Sequence, residues 1–361
     1  LAMPFVSDPV TRMLLFLAML RLPAWIPQSG EVWFVATIDL LLPNIFCVIS
    51  YGTLLILTVA IVFAGKGVLW LMWANVLSLW LYSVLTFTAA RRKVRFKMPS
   101  LVPALNLLRQ SLAFGVASTI WRVHLQSPMS LVYWACGSFQ AGLFAAASKF
   151  IAVADWTIST FMLSLYPSMS EVVNDRELFR QRFVRGLAMM CAFGTAISVL
   201  VSSCSGALMR LTFGSQFAGA HKVLIALSPA LVFMFASSHI AHALISLGGR
   251  SQYLSSACIA VMSTFVFTTS LGKLMGALGG AFGMSIACLI ALITSAIMLH
   301  RLDDKLVPRR WVIPAALTTC ALISASSAFG WAARSASLEV VIGILSSSAA
   351  LLIWSCPILR S

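Results

Sequence analysis

Apolar runs long enough to cross a bilayer constrain this chain more than anything else in it. Two of them lie back to back between Leu105 and Glu171, LNLLRQSLAFGVASTIWRVHL and FQAGLFAAASKFIAVADWTISTFMLSLYPS. About 20 residues of helix span the hydrocarbon core, and each run reaches that length. Backbone groups in lipid must be satisfied within their own segment, which leaves helices or a closed barrel. Continuous rather than alternating apolar runs select helices. Composition agrees: 60% of the 361 residues are hydrophobic and 10% are charged, against about 25% charged in a soluble domain. The fold class is therefore all-α, a polytopic membrane protein.

Further spans are expected at 9–25, 32–48, 49–65, 68–90, 187–211, 221–246, 252–271, 275–299, 311–330 and 339–356, with the two central ones at 105–125 and 139–168. Between the central pair, Gln126, Ser127 and Pro128 read as a short non-helical hinge, since proline interrupts the backbone ladder. The stretch after Glu171, with Phe179 and Phe183 at helical spacing, reads as a short surface helix. Met98-Pro99-Ser100 reads as a linker. The chain divides accordingly into an N-terminal lobe at 1–98, a six-helix lobe at 99–303 and two terminal spans at 304–361.

The net charge is +15, from 25 basic and 10 acidic residues. Basic residues collect in the cytoplasmic loops of such proteins, which explains the excess without nucleic acid. Arg91, Arg92, Lys93, Arg95 and Lys97 form the strongest cluster, and Arg176, Arg180, Arg182 and Arg185 form another. Both clusters assign their ends of the spans to the cytoplasm, and the count places both termini there. Eight cysteines, Cys47, Cys136, Cys191, Cys204, Cys258, Cys288, Cys320 and Cys356, form no CxxC pair. They are expected as small hydrophobes, with no disulfide framework, metal or cofactor. The opening LAMPFVSDPV does not read as a cleavable signal.

The functional hint is charge inside the apolar runs. Arg122, His124, Lys149 and Asp155 lie within the central pair, and Asp39 lies within the run at 32–48. An ionisable group facing lipid costs about 3 kcal/mol or more, so such groups usually face a bundle interior or water. Arg122 suits a diphosphate, because guanidinium matches phosphate oxygens in pairs and stays charged. Lys149 suits the same anion or a sugar carboxylate. Asp155 suits a coupling cation or a basic neighbour, and Asp39 a partner across a cavity. The competing reading of Arg122 and His124 is snorkelling to the interface. His239 and His242 share a helix face, where interhelical hydrogen bonding is the simpler reading.

Downstream of residue 139 the order GLFAAASKF, LSLYPSMSE, LTFGSQF, LISLGGR and GALGGAFG resembles the polysaccharide transporter branch of the multidrug/oligosaccharidyl-lipid/polysaccharide flippase superfamily. The positions that carry it are Gly142 and Phe144; Pro167 and Ser170; Phe213, Gly214 and Phe217; and Gly249 and Arg250. The resemblance implies about 12 helices in two lobes around a central cavity, related by internal symmetry. It implies a first lobe that lacks its opening helix pair. It implies a transporter rather than an enzyme, moving polyprenyl-diphosphate-linked oligosaccharide across the bacterial inner membrane for surface polysaccharide. The implied partners are that glycan lipid, membrane lipids and other polysaccharide assembly proteins. The cavity candidates are then Arg122, Lys149, Asp155, Asp39 and His124. Two alternatives stay open: a truncated, non-transporting remnant of such a flippase, and a membrane glycan polymerase or glycosyltransferase.

Overall fold

The computed structural model describes residues 9–304 and 306, apart from 38, 40 and 95–99; at 35, 36, 101–104, 110, 113 and 164 it describes the backbone alone. Every regular element among these is a helix: α1 (Pro9–Met19), α2 (Trp25–Gln28), α3 (Gly30–Ala36), α4 (Leu41–Phe63), α5 (Val68–Lys93), α6 (Leu101–Ser170), α7 (Arg176–Ser203), α8 (Ser205–Phe213), α9 (Ala220–Ser246) and α10 (Arg250–Leu302). Six of them are long and apolar enough to cross a membrane: α4, α5, α6, α7, α9 and α10. The spans expected at 311–330 and 339–356 lie outside the described residues, as does most of the linker at Met98-Pro99-Ser100.

Two of the six are helical hairpins. In α6 the helix breaks at Gly137, with φ 83° and ψ 178°. A Cβ at Gly280 would meet both Val132 and Phe144. A straight helix would set those two residues about 18 Å apart at 1.5 Å per residue, so the chain must fold back between them. In α10 the break is Gly276, with φ 65°. There a Cβ at Gly279 would sit 1.9 Å from the Leu271 carbonyl oxygen, and one at Gly283 2.6 Å from Thr268 Cα. Only residues without a side chain let two arms approach this closely. Both turn glycines have positive φ, which glycine adopts at little steric cost. Counting α6 and α10 twice and α4, α5, α7 and α9 once gives eight passes among the described residues.

These turns correct three expectations. Gln126, Ser127 and Pro128 are not a hinge: the first arm of α6 runs through them to residue 136. A proline inside a helix forfeits one ladder bond and bends the helix without ending it when packing holds it, and Pro128 is buried. The residues at 171–185 are not a separate surface helix. Asp175 caps α7 by accepting from the Leu178 N–H at 3.1 Å, and Phe179 and Phe183 are fully buried beside Met169, Ile240 and Leu299. The runs at 32–48 and 49–65 are not two spans. The chain leaves helix between Ala36 and Leu41, and one helix, α4, follows with Pro43 in its first turn. A proline there costs little because those N–H groups have no helical partner anyway.

The chain falls into two compact units, Leu1–Pro103 and Ala104–Ser361. In the first, α4 and α5 are joined by a reciprocal serine clasp. Ser50 Oγ donates to the Ser78 carbonyl at 2.6 Å and Ser78 Oγ to the Ser50 carbonyl at 2.9 Å. Both serines are buried, so each hydroxyl satisfies itself across the helix pair. In the second unit α9 is the axis, buried along most of its length. Gly194 lets α7 come to van der Waals limits with Val232 and Phe235. Ser198 Oγ donates to the Ser228 carbonyl and Ser285 Oγ to the Ala226 carbonyl, tying α7 and α10 to α9.

The two hairpin tips of the second unit are tied together. Gln140 Oε1 accepts from the Ala277 N–H at 3.0 Å, and Cys136 Sγ donates to the Gly272 carbonyl at 3.0 Å. Lys273 Nζ lies 5.4 Å from the centroid of Trp134, a cation–π contact. The Gln140 bond matters most, because Ala277 opens the second arm of α10 and its N–H has no helical acceptor.

Candidate functional site

The arms of the α6 hairpin carry three charged residues set well inside apolar runs, Arg122, Lys149 and Asp155. Arg122 stands 15 positions before Gly137 and Lys149 12 positions after it. At 1.5 Å per residue they lie about 22 and 18 Å from the turn, so folding back brings them to similar depth on neighbouring arms. Asp155, 18 positions past the turn, falls about 27 Å from it. Arg122 and Lys149 are exposed and Asp155 is half-buried. None of the three forms a direct ion pair among the described residues. On the same arm as Arg122, Phe114 packs against the buried Tyr253 of α10, ring centroids 6.0 Å apart.

Arg122 is part of a longer polar face. Thr119, Arg122, Gln126, Ser130 and Tyr133 are all exposed. At 100° per residue they fall within about 80° of one another, on one side of the first arm. The opposite side holds the buried Ala117, His124, Pro128, Leu131 and Val132. Most hydroxyls on these helices spend their hydrogen on the preceding turn, as Thr119 does on the Gly115 carbonyl at 2.8 Å. Gln126, Ser130 and Tyr133 have no side-chain hydrogen bond among the described residues. An amide with no partner costs several kcal/mol in hydrocarbon, so this face calls for water or a polar ligand.

The remaining candidates are placed differently. His124 is 1% exposed. Its Nδ1 shares a hydrogen bond with Thr264 Oγ1 at 2.5 Å, its Nε2 faces Cys288 Sγ at 3.9 Å, and its ring lies 5.3 Å from Trp121. It joins α6 to both arms of α10. Asp39 is not in a span and does not await a distant cation. It sits in the break before α4, its Oδ2 2.7 Å from Lys93 Nζ. The same ammonium lies 5.2 Å from the Trp33 ring and 5.7 Å from that of Phe34. The competing attraction of a partner within the same unit explains the difference.

His239 is fully buried, Nε2 3.0 Å from the Phe183 carbonyl and its ring stacked on Phe183. Gly186 makes room for it, since a Cβ there would lie 2.4 Å from His239 Cε1. Nδ1 of His242 faces the Ser238 carbonyl of its own helix at 2.8 Å, and its ring meets Tyr166 edge-on. Interhelical packing accounts for His239. Among the described residues no group of three or more potential metal ligands occurs.

With this arrangement in hand, comparison with known proteins is informative. Residues 44–222, about half of the chain, match the family described as "Polysaccharide biosynthesis protein". No curated protein matches the chain by sequence. A solved structure, "Lipid II flippase MurJ, inward closed conformation", superposes with a TM-score of 0.68 at 17% identity, covering 98% of this chain and 74% of that one. At that identity the likeness speaks to the fold alone. Residues 44–222 are thus similar to the polysaccharide biosynthesis proteins, in line with the resemblance carried by the motifs from Gly142 to Arg250. The chain is a multi-pass membrane protein.

Proposed function

We propose that this protein is a flippase that moves polyprenyl-diphosphate-linked oligosaccharide across the bacterial inner membrane for surface polysaccharide assembly, by alternating access. The observation that carries this reading is the pair of exposed cations, Arg122 and Lys149, at similar depth on the two arms of α6. Exposed to lipid they would be costly; facing a diphosphate they offset the cost of bringing that anion to membrane depth. Guanidinium takes two phosphate oxygens at once, and ammonium acts as a movable point charge. Asp155 keeps the empty site from carrying two uncompensated positive charges. No bond is made or broken, so no catalytic group is needed.

The same reading keeps the divisions at 1–98, 99–303 and 304–361 and puts the arginine-rich ends of α5 and α7, and both termini, in the cytoplasm. Its partners are the lipid-linked glycan, membrane lipids and other proteins of polysaccharide assembly.

The test is expression in a strain that lacks its own surface-polysaccharide flippase, with restored surface glycan as the readout. Wild type should rescue. Arg122→Ala and Lys149→Ala should each abolish rescue while still inserting in the membrane at wild-type levels. Full rescue by both variants would reject the role given to these cations.

A further inference from the structure

The polar face of α6 extends past Arg122, and the diphosphate does not account for its continuation. Gln126, Ser130 and Tyr133 follow Arg122 at intervals of four, four and three residues, toward the hairpin tip. From Arg122 to Tyr133 the helix rises about 16 Å, further than one diphosphate reaches. None of the three is charged, and none spends its hydrogen-bonding capacity within the protein among the described residues. Tyr133 is 61% exposed.

Together these groups supply an amide that both donates and accepts, a hydroxyl that does both, and a flat ring with a polar tip. That set suits an uncharged, hydroxyl-rich ligand with apolar ring faces. It does not suit lipid tails, which offer no hydrogen bonds, nor a second anion, since Arg122 is the one cation of the face.

We propose that Gln126, Ser130 and Tyr133 form a track for the sugar portion of the glycan lipid, continuous with the diphosphate site at Arg122 and directed toward Gly137. This rests on the flippase reading and adds a polarity to it: diphosphate deep on the arm, sugars toward the turn. Tyr133 provides the face on which a sugar ring stacks, and the amide and hydroxyl exchange hydrogen bonds with sugar hydroxyls as they pass. Each contact replaces a bond to water and is weak alone, which suits a transporter that must release its load.

The experiment uses the purified full chain in detergent, with quenching of tryptophan fluorescence as the binding signal; Trp121 and Trp134 flank the track. Three probes are compared: the lipid-linked repeat unit extracted from the host strain, the same polyprenyl diphosphate carrying one sugar, and phosphatidylglycerol. The variant is Gln126→Leu with Ser130→Ala and Tyr133→Leu, all exposed positions whose melting temperature should stay near wild type. It should bind the full repeat about tenfold or more weakly and the one-sugar lipid within about twofold of wild type. Arg122→Ala should weaken both.

Equal affinity of variant and wild type for the full repeat overturns the track. So does an equal loss for both glycan lipids, or phosphatidylglycerol competing as well as the repeat. If wild type binds neither glycan lipid, the flippase reading itself falls, an outcome separate from failure of the track alone.

Discussion

The two hairpins α6 and α10 share a plan and differ in what they carry. Each folds back at a positive-φ glycine, and their tips are bonded to each other. Between its ends α10 has a single charged residue, Lys273 at the tip, and it zips its arms with Gly279 and Gly283. The arms of α6 hold Arg122, Lys149 and Asp155, and Gly142 meets nothing within 4 Å. The contrast separates a helix pair whose small residues serve packing from one that leaves charged residues exposed. One piece of protein provides rigidity so that its neighbour can afford charge.

Substitutions break or sharpen that contrast. The largest effect belongs to α10. Gly279→Val or Gly283→Val drives a side chain into backbone, a cost of more than about 3 kcal/mol; little folded protein should survive detergent extraction, as read by size-exclusion profile. Gly142→Val in α6 should extract like wild type, and if it too is lost the two hairpins do not differ as described. Next comes Arg122→Ala, which should reduce glycan rescue at least about tenfold with its melting temperature unchanged. A drop in melting temperature to match would make Arg122 a packing residue.

Gln140→Leu leaves the Ala277 N–H without an acceptor and should cost about 1–3 kcal/mol, measured by thermal unfolding in detergent; Gln140→Glu, which keeps an acceptor, should cost less. The smallest effect is expected in the other unit. Ser50→Ala should lose about 1 kcal/mol, and adding Ser78→Ala should lose a similar amount again, because each hydroxyl donates to the other residue's backbone carbonyl, which the first substitution leaves in place.

Much of the fold was legible because apolar run length is a direct readout of span length. The helical class, α5 and α9 all followed from it. What the runs concealed were the breaks. Pro128 looked like a boundary, yet a buried proline bends a helix that packing holds together, while Gly137 ended one without advertising itself. A glycine reveals positive φ only when the chain around it turns back. Asp39 looked embedded because VWFVATIDLLLP reads as one apolar run, and only the partner at Lys93, far along the chain, marks it as a break. Arg122, Lys149 and Asp155 were legible as charges within apolar runs and became candidates that way. Gln126, Ser130 and Tyr133 were not, because an uncharged polar face emerges only when positions are sorted by angle around the helix.

Cys136 at the tip of α6 has a consequence of its own. Its sulfur lies 3.5 Å from where a Cβ on Gly272 would be, close to the span of a disulfide. A second thiol at position 272 would therefore act as a reversible rivet between the tips. Reductant would then become a switch, reporting whether the work of this protein requires those tips to part or only to ride together.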